Sequence, residues 1–302
     1  FGVSVDPERE VIPAAGAKEA VFHLAFALVD RASDKRTVVY GEPAYPVYER
    51  GAAYAGADVF AAPLSASKGF LLEPGDVPEA VLRKTALFWV NYPHNPTGAV
   101  ADLAYYNRVV EAARAFGFLV ASDETYVDVA ERGRPPSILE VAKDHVLAIH
   151  SLSKRSGMTA YRSGFMAGDA RVVDALKKLR PSVGVASQEF VQAAAEAAWS
   201  DDAHVQERVA VFARKRAKVV ATAQALGLDV LDSGTGLYVW AKVPSGETSG
   251  GYAERLLEGG VVVTPGDAFG PSGSGYVRLA LVPLLSELDA ALDAWTRAHR
   301  GA

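Results

Sequence analysis

Val146-Leu147-Ala148-Ile149-His150, followed by Ser151-Leu152-Ser153-Lys154-Arg155-Ser156-Gly157-Met158-Thr159-Ala160-Tyr161-Arg162, is the stretch from which this chain is read. Its first five residues form an apolar run short enough to be a buried strand, and a second short run, Gly164-Phe165-Met166-Ala167-Gly168, follows the polar loop. Lys154 therefore sits where a strand ends. Partial desolvation there lowers the proton affinity of an ammonium group, towards the range where the free amine attacks a carbonyl, as Schiff-base chemistry requires. On the lysine alone, an ordinary surface loop of an α/β protein is the weightier reading, so the rest of the chain decides.

Half of the 302 residues are apolar, enough for a large core and more than one domain. A formal net charge of −5 leaves no basic footprint for nucleic acid or an anionic membrane. The absence of cysteine excludes disulfides and thiolate metal sites and makes a reducing, cytoplasmic setting the expectation. No apolar run approaches the ~18 residues of a membrane span, and no signal peptide, repeat or low-complexity tract is visible.

Outward from the lysine, strands and helices alternate. Glu10–Pro13 reads as a strand that turns through Ala14-Ala15-Gly16-Ala17-Lys18-Glu19 into a helix reaching about Asp30. Small residues at such a turn admit close backbone approach, and the helix N-terminus offers unpaired N–H groups to an anion, although in isolation a plain βα connection explains the turn as well. Thr37–Tyr40 is a strand leading to Pro43-Ala44-Tyr45-Pro46, where flanking prolines hold the backbone extended and aim the Tyr45 ring. Strands are expected at 58–62, 86–90 and 118–122, and helices at 77–84 and 102–116. The run 86–90 delivers Asn95-Pro96-Thr97-Gly98, whose order after a buried strand is more specific than a generic turn. The run 118–122 delivers Asp123-Glu124-Thr125-Tyr126; a carboxylate at a strand's C-terminal end sits where open α/β sheets bind ligands, and Glu124 reads as structural.

Beyond the lysine loop, a helix over 170–179 is expected to stop at Pro181, with further helices over 188–199 and 202–226, the latter capped by Asp201 or Asp202 and linking two domains. Strands are expected within 228–243, 260–264 and 276–281, and a closing helix over 285–299. Arg278 interrupts the last alternating strand, and a buried arginine there needs an anionic partner. The fold class expected is α/β: a mostly parallel sheet between helices over residues 1–200, then a smaller α+β domain over 201–302. A nicotinamide dehydrogenase shares that architecture, but Gly270-Pro271-Ser272-Gly273-Ser274-Gly275 is not the Gly-x-Gly-x-x-Gly fingerprint and opens no helix.

Taken together, Ser-x-x-Lys with an arginine eight residues after the lysine, Asn-Pro-Thr-Gly, and Asp123 at 28 residues past Asn95 resemble the class I/II aminotransferases, fold-type I enzymes that use pyridoxal 5′-phosphate. The wording from Ser151 to Phe165, together with Val183-Gly184-Val185, looks most like the N-succinyldiaminopimelate aminotransferases of bacterial lysine biosynthesis, with Ala160 where glycine is usual.

The resemblance implies roles. Lys154 holds the cofactor and moves the proton; Asp123 pairs with the pyridinium nitrogen; Asn95 and Tyr126 bond the phenolic oxygen; Tyr45 stacks on the ring. Gly16, Ala17, Lys18, Ser151 and Arg162 take the phosphate, Asn95 and Arg278 take the substrate carboxylate, and no metal is implied. It further implies an amino-acid and keto-acid substrate pair, glutamate as the expected donor, a homodimer with shared sites, residues upstream of Phe1, and Arg180 reaching across the dimer to a distal carboxylate. The same apparatus serves carbon–sulfur lyases and the effector domains of some transcription regulators, which stay open as alternatives.

Overall fold

The computed structural model describes residues 1–183 and 186–301. Seven strands, β1 (Val11–Ala14), β2 (Thr37–Glu42), β3 (Asp58–Pro63), β4 (Thr85–Val90), β5 (Leu119–Asp123), β6 (Val146–Ser151) and β7 (Gly164–Gly168), form one sheet in the order β1-β7-β6-β5-β4-β2-β3. The run β3, β2, β4, β5, β6 is parallel throughout. Only β7 runs against its neighbours, pairing antiparallel with β6 and β1. Parallel neighbours require crossovers, and helices Val47–Ala55 and Leu103–Phe116 supply them after β2 and β4.

The apolar strands are apolar because both faces are covered. On one face Val120, Val146 and Ala148 pack with Tyr105, Tyr106, Val109 and Val110 of helix Leu103–Phe116. On the other, Ala121, Leu147 and Ile149 meet Val21 and Leu24 of helix Ala17–Leu28, and Val173 and Leu176 of helix Ala170–Val183. All six residues of β6 are buried, which is why the strand before the lysine reads as a continuous apolar run and not an alternating one. β7 lies so close to β6 that a Cβ on Gly164 would stand 2.4 Å from the His150 carbonyl oxygen.

A second sheet, β8 (Val230–Leu231), β9 (Tyr238–Lys242), β10 (Thr264–Pro265) and β11 (Tyr276–Ala280), is antiparallel in the order β10-β11-β9-β8. Its core joins Val239, Val277 and Leu279 to Tyr252 and Trp295 of helices Ser249–Glu258 and Leu285–Arg300 and to Val219 and Val220 of helix Ala203–Ala225. Trp295 donates its indole N–H to the Tyr252 hydroxyl at 3.0 Å, so neither buried polar atom is stranded.

Three expectations are corrected. Helix Ala170–Val183 carries Pro181 inside its exposed last turn, where water reaches the carbonyl released by the missing N–H, so the proline does not stop it. Strand structure near 260–264 contracts to Thr264–Pro265, and the helix near 77–84 contracts to Glu79–Leu82, bounded by Pro78. The cap of helix Ala203–Ala225 divides between the two aspartates: Asp201 accepts the Ala203 N–H at 2.7 Å, while Asp202 is taken by Arg155. Gly184 and Val185, part of the wording compared above, lie outside the described residues.

The two sheets are stitched together beside the site. Ala130 bridges Thr235, Glu131 N–H donates to Gly234 at 2.8 Å, and Gly236 N–H donates to Val129 at 2.7 Å. Buried Arg216, from helix Ala203–Ala225, bonds the Glu131 carboxylate at 2.8 Å and the carbonyls of Thr235, Gly236 and Tyr238 at 2.6, 2.6 and 2.9 Å.

Candidate active site

Because β4, β5 and β6 are neighbours and parallel, their C-terminal ends bring residues far apart in sequence to one edge of the sheet. Asn91 and Asn95 follow β4, Asp123 ends β5, and Ser151 ends β6 immediately before the turn of helix Leu152–Arg155 that carries Lys154. These ends open on a cavity of about 660 Å³, which the small sheet closes from the other side with Tyr238 and Arg278. Ala17, Lys18, Tyr45, Asn95, Asp123, Tyr126, Ser151, Lys154, Arg162 and Arg278 all line it. Gly16 stands just behind: a Cβ there would lie 2.7 Å from Arg162 Nη2, so the turn into helix Ala17–Leu28 leaves a backbone cradle against the guanidinium.

Asp123 is buried and held on both oxygens. Tyr48 donates its hydroxyl to Oδ2 at 2.8 Å, while the Thr125 hydroxyl and N–H donate to Oδ1 at 2.5 and 3.2 Å. Burial pushes the carboxyl up from its ordinary range, and the bonds from Thr125 and Tyr48 oppose that rise. Asn91 steadies the neighbouring backbone, donating to the Asp123 carbonyl at 2.7 Å and accepting the Asn95 N–H at 2.9 Å. Tyr48, Thr125 and Asn91 were not singled out from sequence; Thr125, two residues past the aspartate, carried a readable signal as a short side-chain turn.

Arg162 sits in the left-handed backbone region, φ 54°, which costs a residue with a Cβ energy unless its surroundings hold it. Its guanidinium donates to the carbonyls of Thr159 at 2.9 Å and Ala15 at 2.8 Å, fixing it at the Gly16 turn. Ser151 accepts the Ser153 N–H at 3.2 Å and so caps the turn bearing Lys154, which is half-buried.

Opposite, Arg278 donates to Asn95 Oδ1 at 2.9 Å, and its Cζ lies 4.0 Å from the Tyr238 ring centroid and 4.6 Å from that of Phe269. Its Nε is buried with no partner among the described residues. The guanidinium itself lines the cavity, and its terminal N–H groups, beside Asn95 and Thr264, are where a carboxylate would meet it. Burial pushes Tyr126 well above its ordinary range and lowers Arg278.

Glu124 points away from the cavity: fully buried, it accepts the Ile138 N–H at 2.9 Å and lies 3.2 Å from His150 Nε2. Arg180 is absent from the lining; within this chain it bonds the Pro13 carbonyl and Glu19, the latter at 3.3 Å.

The residues present fit pyridoxal phosphate on their own chemistry. A phosphate finds a glycine cradle, a helix N-terminus and a fixed guanidinium; a protonated ring nitrogen finds a buried carboxylate; a carboxylate finds the Arg278 guanidinium. The comparisons agree. The profile of the family described as "Aminotransferase class I and II" matches residues 1–294. An LL-diaminopimelate aminotransferase of Dehalococcoides mccartyi is 39% identical over 286 residues, covering 93% of this chain and 73% of the relative. Among solved structures, the probable N-succinyldiaminopimelate aminotransferase of Thermus thermophilus is 32% identical at a TM-score of 0.90, over 100% of this chain and 80% of the other. The aromatic aminotransferase of Pyrococcus horikoshii is 26% identical at a TM-score of 0.90, over 99% and 82%. The chain therefore belongs to the class I and II aminotransferases, the pyridoxal-phosphate-dependent enzymes of this fold.

Proposed function

We propose that the chain transfers the amino group of a diaminopimelate-type substrate to and from the glutamate/2-oxoglutarate pair, in lysine biosynthesis, with LL-diaminopimelate itself placed ahead of the N-succinylated form expected from sequence. The observation that carries this order is the 39% identity to an LL-diaminopimelate aminotransferase along 93% of the chain. The fold does not choose between them, since enzymes named for succinylated and for aromatic substrates are equally similar in shape, at TM-scores of 0.90.

When bound, pyridoxal phosphate supplies the electron sink for proton loss at the amino-bearing carbon. The chain's own residues do the rest. The Gly16 turn, Ala17, Lys18, Ser151 and Arg162 hold the phosphate, and Tyr45 covers the ring. Asp123 keeps the ring nitrogen protonated, and Asn95 and Tyr126 bond the phenolic oxygen. Arg278, with Asn95, grips the α-carboxylate and so orients the carbon whose proton Lys154 Nζ removes. Exposed Tyr161 and Phe190 beside Arg162 favour a homodimer in which a second copy covers the phosphate end. No helix among the described residues is long and apolar enough to cross a membrane, and we place the enzyme in the cytoplasm.

The test is a comparison of amino donors on the cofactor-loaded protein, with 2-oxoglutarate as acceptor and glutamate as the readout. Faster turnover of LL-diaminopimelate than of N-succinyl-LL-diaminopimelate is expected, and the reverse order would restore the succinylated substrate. Turnover of neither, with release of pyruvate and ammonia from a sulfur amino acid, would favour the lyase reading.

A further inference from the structure

Tyr238 belongs to no motif that pointed to the site, yet it touches both of the site's halves. It stands on β9 one step diagonally from Arg278 on β11, since Trp240 is the direct partner of Arg278 and Ala280 that of Tyr238. A diagonal pair on one face of a sheet is within reach of an aromatic ring, and the ring lies 4.0 Å from the Arg278 guanidinium carbon. Its hydroxyl is 3.4 Å from the Tyr126 hydroxyl. The backbone beneath it is fixed: Arg216 bonds the Tyr238 carbonyl, and Gly236 is bonded to Val129, three residues past Tyr126.

Resting on the transamination reading above, we propose that Tyr238 is a positioning residue coupling the carboxylate grip of Arg278 to the phenol of Tyr126. The ring face supports the guanidinium in the plane in which it meets a carboxylate. The hydroxyl acts on Tyr126 by a count of protons. Each phenol has one; if Tyr126 donates its own to the cofactor's phenolic oxygen, the proton between the two tyrosines belongs to Tyr238. Tyr238 then donates to Tyr126 and strengthens the donation Tyr126 makes. The 3.4 Å separation is long for an O–H···O bond, so the effect through the hydroxyl is modest and the effect through the ring is the larger.

Two variants separate the two ends of the residue, and neither readout is turnover. The cofactor-loaded protein is titrated against pH, following its visible absorbance band, and its dissociation constant for 2-oxoglutarate is measured by the quenching of that band. Donation into the phenolic oxygen favours the deprotonated chromophore, so Y238F should raise the band's midpoint by about half a pH unit while binding 2-oxoglutarate within about twofold of wild type. Y238L removes the stacking as well, and should weaken 2-oxoglutarate by about 5–10-fold. Unmoved midpoint and affinity in both variants, above a wild type that titrates and binds, would overturn the coupling alone. A wild type whose loaded band neither titrates nor responds to 2-oxoglutarate would overturn the transamination reading and the coupling with it.

Discussion

In the proposed reaction Lys154 and Arg278 divide the chemistry, and substitutions at them should fail in different ways. Lys154→Ala should lower kcat by at least ~10³-fold while a carboxylate ligand still binds, because proton transfer is lost and the grip is not. Arg278→Lys should act through KM, raising it about 10–100-fold for both substrates, since an ammonium cannot reproduce the two parallel N–H···O bonds. Steady-state kinetics on the two variants would check the split; a KM effect from Lys154→Ala alone would contradict it. Arg278 was legible for a physical reason, since an arginine inside a buried strand is costly without a partner; Lys154, at the mouth of a polar loop, became legible only through the motifs around it. Tyr48 and Tyr238 were illegible for the converse reason, because a tyrosine in an apolar context is explained by packing until its hydroxyl's partner is seen. His94 gives a prediction in pH. Burial brings its imidazole down to about 3, with Nδ1 2.7 Å from the Thr97 hydroxyl. The unfolded histidine, near 6.5, binds a proton that the folded one refuses, so stability should fall as pH drops from about 6.5 towards 3, by up to ~1.4 kcal/mol per unit. Urea midpoints at pH 7.5 and 5.5 would show this, and His94→Gln should flatten the difference.

Among the elements, β6 and β7 approach too closely to admit a single methyl group between them. Gly164→Ala places a Cβ 2.4 Å from the His150 carbonyl oxygen, backbone that cannot turn aside. The expected cost is about 1–3 kcal/mol, read as an earlier urea midpoint with an unchanged slope. The displacement would also reach Lys154, four residues past His150. The parallel strands and their helices were readable because continuous apolar runs and flanking turn residues mark strands buried on both faces. The reversal of β7 was not, since nothing in a five-residue apolar run states its direction. The course of helix Ala170–Val183 past Pro181 was equally hidden, because a proline ends a helix only where its missing bond matters.

The molecule as a whole joins its two sheets at several places, Ala44 to Phe269 and Glu42 to Ser272 among them, and Arg216 is a heavily bonded member of the seam, buried with four bonds spanning both sides. Arg216→Ala should leave the Glu131 carboxylate and three carbonyls without their donor and cost about 3–5 kcal/mol in thermal or urea unfolding. Arg216→Lys should recover little, because an ammonium cannot span that fan of acceptors. The residues matched to the cofactor, from Gly16 to Arg162, lie on the large sheet's side of that seam, whereas Arg278, Tyr238 and Phe269 come from residues 230–280. The chain is thus partitioned like a tool with an exchangeable jaw. Grafting the stretch that follows Leu228 from a relative with another substrate preference would transplant recognition while leaving the reacting half intact, provided Thr235 and Gly236 keep their seat on Val129, Ala130 and Arg216.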